Sequence, residues 1–154
     1  MSLVLAIDPG PTQSAYVLWD GKKILYHGKD DNDKILDVIG CYKDGNVHTA
    51  HVVCEQIASF GMAVGAEVFE TCVWTGRFWQ HAERHGMDFS RVKRMEVKMH
   101  LCHSARAKDG NIRQALIDRL GPPGKKKSPG VTFGITKDQW AALAVAVTFK
   151  DKNP

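Results

Sequence analysis

The chain begins with apolar residues in short runs broken by turn-forming residues, the rhythm of strands. Residues 2–7 (SLVLAI) and 14–19 (SAYVLW) are two such runs. Asp20-Gly21 then gives a hairpin signal before a third run at 22–27 (KKILYH), so the chain should open with three antiparallel strands. The period changes in DDNDKILDVIGCYKDG (30–45), where Ile35, Leu36, Val38 and Ile39 recur at helical spacing behind Asp/Asn capping residues. That pattern predicts a helix ending near Gly45. HTAHVVCEQI (48–57) is a β-rich run carrying Glu55 near its end, and GAEVFETCVWTGRFWQHAERHG (65–86) is a long amphipathic helix closed by Gly86. SRVKRMEV (90–97) suits a short strand, and KDGNIRQALIDRLG (108–121) a helix with a glycine stop. GPPGKKKSPGVTFG (121–134) reads as a loop before a final helix, TKDQWAALAVAVTF (136–149), with Thr136 as its N-cap.

This order is an α/β layout with a mixed sheet. No internal repeat or linker divides it, and 154 residues suit one domain spanning 1–154. The 44% apolar and 25% charged content is that of an ordinary globular chain, which sets disorder aside. No apolar run approaches the roughly 18–20 residues of a membrane span, and the start lacks a signal-peptide pattern, so a cytoplasmic protein without a membrane partner is expected. Cys41, Cys54, Cys72 and Cys102 lie far apart with no CxxC pair, the usage of reduced thiols. His100, Cys102 and His103 lack the second ligand pair that a zinc site needs.

The net charge of +4 matters less than its placement. Arg91, Lys93, Arg94, Lys98, His100, His103, Arg106, Lys108 and Arg113 crowd one region, and Lys125, Lys126 and Lys127 another. Such a footprint points to a polyanion, with a solvated basic surface as the competing account. Set against it are three acids beside mainly apolar segments. Asp8 ends the first run ahead of Pro9-Gly10-Pro11, Glu55 ends the fourth strand, and Asp138 lies in the first turn of the last helix. Singly, each has an ordinary reading, as a turn residue, a strand-end charge and a helix N-terminal charge.

Together, IDPGPTQSAYVL (7–18), VVCEQI (52–57), VKMHLCHSARAKDGNIRQAL (97–116) and KDQWAALAVAVT (137–148) resemble, in order, the successive motifs of RuvC-type Holliday junction resolvases, particularly compact phage-encoded ones. The resemblance spans nearly the whole chain. It implies a ribonuclease H-like fold, with a mixed central sheet and helices on both faces. It implies that Asp8, Glu55 and Asp138 converge as ligands for two divalent metals, Mg²⁺ with Mn²⁺ as a substitute. It further implies two-metal hydrolysis of phosphodiesters in four-way junctions and other branched DNA, a chemistry that calls for hard oxygen ligands. On this reading Pro9-Gly10-Pro11 turns the chain sharply after Asp8 and leaves room for a phosphate. A junction cut symmetrically suits a homodimer, a monomer being the alternative. The expected location is then the cytoplasm, that of the host for a phage-encoded protein.

The match departs in two places. Ala141 stands where the family often has a second metal-directed residue in the last helix, and Lys108 and Asp109 appear in reversed order. Asp109 either completes the site or caps its helix. Lys108 is the cation expected at the scissile phosphate. Phe60, five residues beyond Glu55, either wedges against a base at an opened junction or packs in the core. Arg106, Arg113 and a mobile loop carrying Lys125, Lys126 and Lys127 would bind DNA phosphates. Trp74, Phe78 and Trp79 form either core or a dimer seam. Two rival functions stay open: a junction-binding protein with little catalysis, which Ala141 makes conceivable, and a ribonuclease H-like nuclease with another substrate. A third, the actin-like nucleotide-binding fold, needs further phosphate-binding glycine motifs that the chain lacks.

Overall fold

The structure, a computed structural model, describes residues 3–40, 50–59 and 61–154. Strands β1 (Val4–Asp8), β2 (Gln13–Trp19) and β3 (Ile24–Asp31) precede helix α1 (Asn32–Gly40) and strand β4 (His51–Gln56). Then come α2 (Ala66–Arg84), β5 (Phe89–Lys93), α3 (Arg94–Cys102), α4 (Asp109–Leu120), a small pair β6 (Gly124–Lys125) and β7 (Ser128–Pro129), and α5 (Asp138–Lys152). The main sheet runs β3-β2-β1-β4-β5. Its first three strands are antiparallel as expected, and β4 and β5 join in parallel with β1. Among the described residues no helix is long and apolar enough to cross a membrane.

Alternation along the strands sorts the side chains between two cores. Val4 and Ala6 of β1, Val17 and Trp19 of β2 and Val53 of β4 point to one face, under α3, α4 and α5. Leu5, Ile7, Leu18, Val52 and Cys54 point to the other, under α1 and α2. Helix α5 is the most enclosed of the described helices, with every residue from Ala142 to Thr148 buried. Small residues at 142, 144 and 146 let it lie close on the sheet, which explains a helix apolar all round. Phe78 and Ala82 of α2 are fully buried in the second core, so Phe78 belongs to the core. Trp74 packs against that core from its edge, and Trp79 is partly exposed, its ring stacked on Phe89 with centroids 5.3 Å apart.

Several boundaries differ from the sequence expectation. Strand β3 reaches Asp31, so the acidic pair read as helix caps closes a strand, and the helix begins at Asn32. The predicted end of that helix near Gly45 lies outside the described residues, as does Cys41. The strand over 90–97 stops at Lys93, and Arg94 opens α3, which periodicity missed. Met95, Glu96, Lys98, Met99 and Leu101 are good helix formers, and they outweigh the two β-branched residues that suggested a strand. Thr136 does not cap α5. Its carbonyl accepts from Gln139 N at 3.0 Å and the helix starts at Asp138. The lysine-rich loop is a hairpin, with β6 and β7 antiparallel and Lys126-Lys127 at its turn. Gly124 makes this feasible with φ +74, and a Cβ on Gly130 would stand 2.1 Å from Pro122 O, so the hairpin base admits only glycine there.

Candidate active site

Asp8 continues the Val4–Ala6 alternation of β1, and Glu55 continues Val53 of β4, so both carboxylates reach the α5 face at the ends of their strands. They stand one step beyond the Ile7–Cys54 pair, on neighbouring parallel strands. The first residue of α5, Asp138, comes to the same cleft from above. The cleft has a volume of about 480 Å³, and its walls also carry Arg94, Arg113 and Lys137.

What fixes Asp8 is the turn after it. A Cβ on Gly10 would lie 2.3 Å from Gln13 O, so the turn closes only around glycine. Gly10 N donates to Ser14 Oγ at 3.2 Å, Ser14 Oγ donates to Asn32 Oδ1 at 2.6 Å, and Asn32 Nδ2 donates back to Gly10 O at 3.0 Å. Both Ser14 and Asn32 are buried, so this closed ring ties the turn to the start of α1. The helix carrying Asp138 is held by a strained residue. Lys137 precedes it with φ 47 and ψ −123, a region that side chains other than glycine rarely adopt, and such strain gathers where a site demands it.

Asp8 feels the neighbouring carboxylates more strongly than the cations of the cleft. Burial, then Glu55, then Asp138 push the Asp8 carboxyl up to about 7, against a smaller pull from Arg94 and Lys29. Burial also raises Glu55, with Arg94 opposing. A divalent cation suits this donor set, made only of hard carboxylate oxygens that repel one another until a cation joins them. In the structure, the chain's own cations stand near. Lys29 Nζ lies 2.6 Å from Asp138 Oδ2, and Arg94 Nη1 lies 3.5 Å from Glu55 Oε1 while its other nitrogen pairs with Asp109. These pairs engage Asp138 and Asp109. Among the described residues no three His, Cys, Asp or Glu side chains are gathered closely enough to enclose an ion.

The other expected residues lie at different distances from this centre. Asp109 lines the cleft as the first residue of α4, with a side chain 86% exposed, and Lys108 rather than Asp109 holds the N-cap position. Lys108 N donates to Asn111 Oδ1 at 2.9 Å, and its side chain is not among the cleft walls. Arg113 is inside the cleft, its guanidinium 5.1 Å from the Trp140 ring centroid. Arg106 is exposed in the turn between α3 and α4, and Lys125, Lys126 and Lys127 are exposed on the hairpin. Ala141 lines the cleft one turn beyond Asp138 and brings no oxygen. Phe60 lies outside the described residues. Lys29, Arg94 and Lys137 were not singled out as site residues by their sequence context. Arg94 was legible only as one of a basic cluster, and Lys29 depends on the β2–β3 register, which sets it opposite Ala15, itself paired with Asp8.

No protein-family model matches the chain, and no curated protein matches it. Solved structures do. A structure of Thermus thermophilus RuvC superposes with a TM-score of 0.67 at 18% identity, covering 95% of this chain and 92% of that one. T. thermophilus RuvC in complex with a Holliday junction substrate gives a TM-score of 0.72 at 17% identity, covering 99% and 95%. The fold is therefore the RuvC one, the ribonuclease H-like architecture that the motifs implied, with helices on both faces of a mixed sheet.

Proposed function

We propose that this chain is a structure-selective endonuclease that cuts Holliday junctions and related branched DNA by metal-dependent hydrolysis, with Mg²⁺ as cofactor and Mn²⁺ able to replace it. The observation that carries this reading is the meeting of Asp8, Glu55 and Asp138 on one cleft of a fold shared with a RuvC whose solved structure holds a Holliday junction. Asp8, Glu55 and Asp138 are the residues that would hold the cation, which when bound polarises a phosphoryl oxygen and lowers the pKa of a water. In the reaction a water oxygen joins phosphorus, one ester P–O bond breaks, and the departing oxygen leaves as a hydroxyl.

The chain's own residues bind and orient the DNA. Arg94, Arg113 and Lys137 present positive charge to a phosphate in the cleft, and the Arg113 guanidinium lies over the Trp140 ring. Lys108 and Arg106, at the start of α4 and just before it, extend that charge outward. The Lys125–Lys127 hairpin is a preformed basic finger for a neighbouring backbone. Replacing Lys125, Lys126 and Lys127 together with alanine is expected to lower the log–log salt slope of junction binding by roughly 2 to 3. An unchanged slope in a salt titration would remove the hairpin from the interface.

A four-way junction has two strands to cut, so two copies of this cleft related by a two-fold axis match its symmetry, and a homodimer is the assembly we propose. Phe69 and Val73, exposed one turn apart on α2, give that helix an apolar outer face consistent with such pairing. Junction-binding without chemistry is the competing reading, and Glu55→Gln separates the two. The variant should still retard a labelled four-way junction in a gel and should no longer incise it. Equal incision by variant and wild type would place the chemistry elsewhere.

A further inference from the structure

Asp138 meets a cation that belongs to the chain itself. Lys29 Nζ is 2.6 Å from Asp138 Oδ2, and two residues back along the same strand His27 Nδ1 is 2.7 Å from Gln139 Oε1. Alternate residues on one face of β3 thus bind consecutive residues in the first turn of α5, so the ammonium is delivered by an element of the sheet docked at two points. The register extends this. Lys29 pairs with Ala15 and Ala15 with Asp8, so the lysine shares a row with the first carboxylate, and only a methyl group stands between them. One helical turn from Asp138, Ala141 faces the cleft without an oxygen.

We propose that Lys29 takes the place of a second metal ion: its ammonium neutralises Asp138, and the cleft takes up one divalent cation, held by Asp8 and Glu55. This rests on the metal-dependent nuclease reading and refines it, replacing the two ions implied by the sequence motifs with one and moving Asp138 from the ligand set to a partner of Lys29. The two ends of the cleft differ in the way this requires. At Glu55 the cation is Arg94, at 3.5 Å and shared with Asp109, so Arg94 retains a partner when Glu55 turns to an ion. At Asp138 the contact is short and backed by the His27–Gln139 bond. An ammonium has three donors, and with one on Asp138 two remain for phosphoryl oxygens. The Lys29 side chain is 38% exposed, which leaves it open to a phosphate. Lysine therefore supplies charge and hydrogen bonds there, and the bound ion alone supplies Lewis acidity.

The test is a Mn²⁺ titration of the full DNA-free chain, with free Mn²⁺ followed by its electron paramagnetic resonance signal. Wild type should bind one equivalent, Lys29→Arg one equivalent, and Lys29→Ala two, because Asp138 is released to join Asp8 around a second ion. Two equivalents on the wild type, or one on Lys29→Ala, would overturn the role of Lys29 and leave the nuclease reading standing. No binding to the wild type would overturn the single ion held by Asp8 and Glu55. Junction incision by the wild type in Mg²⁺ reports on the nuclease reading by itself.

Discussion

The Asp8→Asn variant should melt about 10 °C above the wild type in EDTA at pH 8, and it should cut no junction. Buried beside Glu55 and Asp138, Asp8 has its pKa raised in the folded chain from 3.8 to about 7. The folded state therefore keeps a proton that the unfolded state releases, and metal-free stability falls as pH rises from about 4 to about 7. Above that range the full cost, up to about 4 kcal/mol, is present in the wild type and absent from asparagine, which cannot ionise. At pH 4 the two proteins should melt together. Adding Mg²⁺ at pH 8 should raise the wild-type melting temperature and leave the variant nearly unmoved, since an ion that binds only the folded state stabilises it. Incision should drop by about a thousandfold or more, the scale on which loss of a central catalytic group is felt. Thermal melts across pH, with and without Mg²⁺, check the first part. A variant that melts below the wild type at pH 8 would mean that Asp8 is already balanced by the cations around it.

Phe78→Ala should do the reverse, weakening the fold and sparing the chemistry. Among the described residues Phe78 is the largest fully buried side chain, packed with Leu5, Ile35, Ile39 and Ala82 on the α1–α2 side of the sheet. Its truncation leaves a cavity between a helix and a sheet that cannot close over it, at a cost of about 3–5 kcal/mol. The melting temperature should fall by roughly 10 °C. Asp8, Glu55 and Asp138 lie on the opposite face, so the incision rate at a temperature where the variant is folded should match wild type. A rate that fell with stability would show that the two cores are coupled through the sheet. The pair of variants separates stability from catalysis in both directions.

The sheet and the acids were legible because alternation alone carries them. Val4, Ala6 and Asp8 share a face by period two, and so do Val53 and Glu55, and the turn residues after Asp8 mark where the strand must stop. Asp138 was legible as the charge that opens an apolar helix. Helix α3 was not, because it follows β5 with no turn residue between Lys93 and Arg94, and a strand pattern runs into it unbroken. Nor was the hairpin, whose strands are two residues long and depend on close backbone approach at Gly124 and Gly130. The cations of the site are tertiary facts. Lys29 needs the register of β2 and β3 and the docking of α5 before it meets Asp138, and Arg94 needs α3 to bring it between Glu55 and Asp109.

The central claim is metal-dependent cutting at a branch point, and the most direct measurement is incision of an end-labelled synthetic four-way junction beside a linear duplex of the same sequence. The expected result is paired cuts near the crossover in Mg²⁺, none in EDTA, and an intact linear duplex. A folded wild-type protein that binds the junction and leaves it whole in both Mg²⁺ and Mn²⁺ would contradict it.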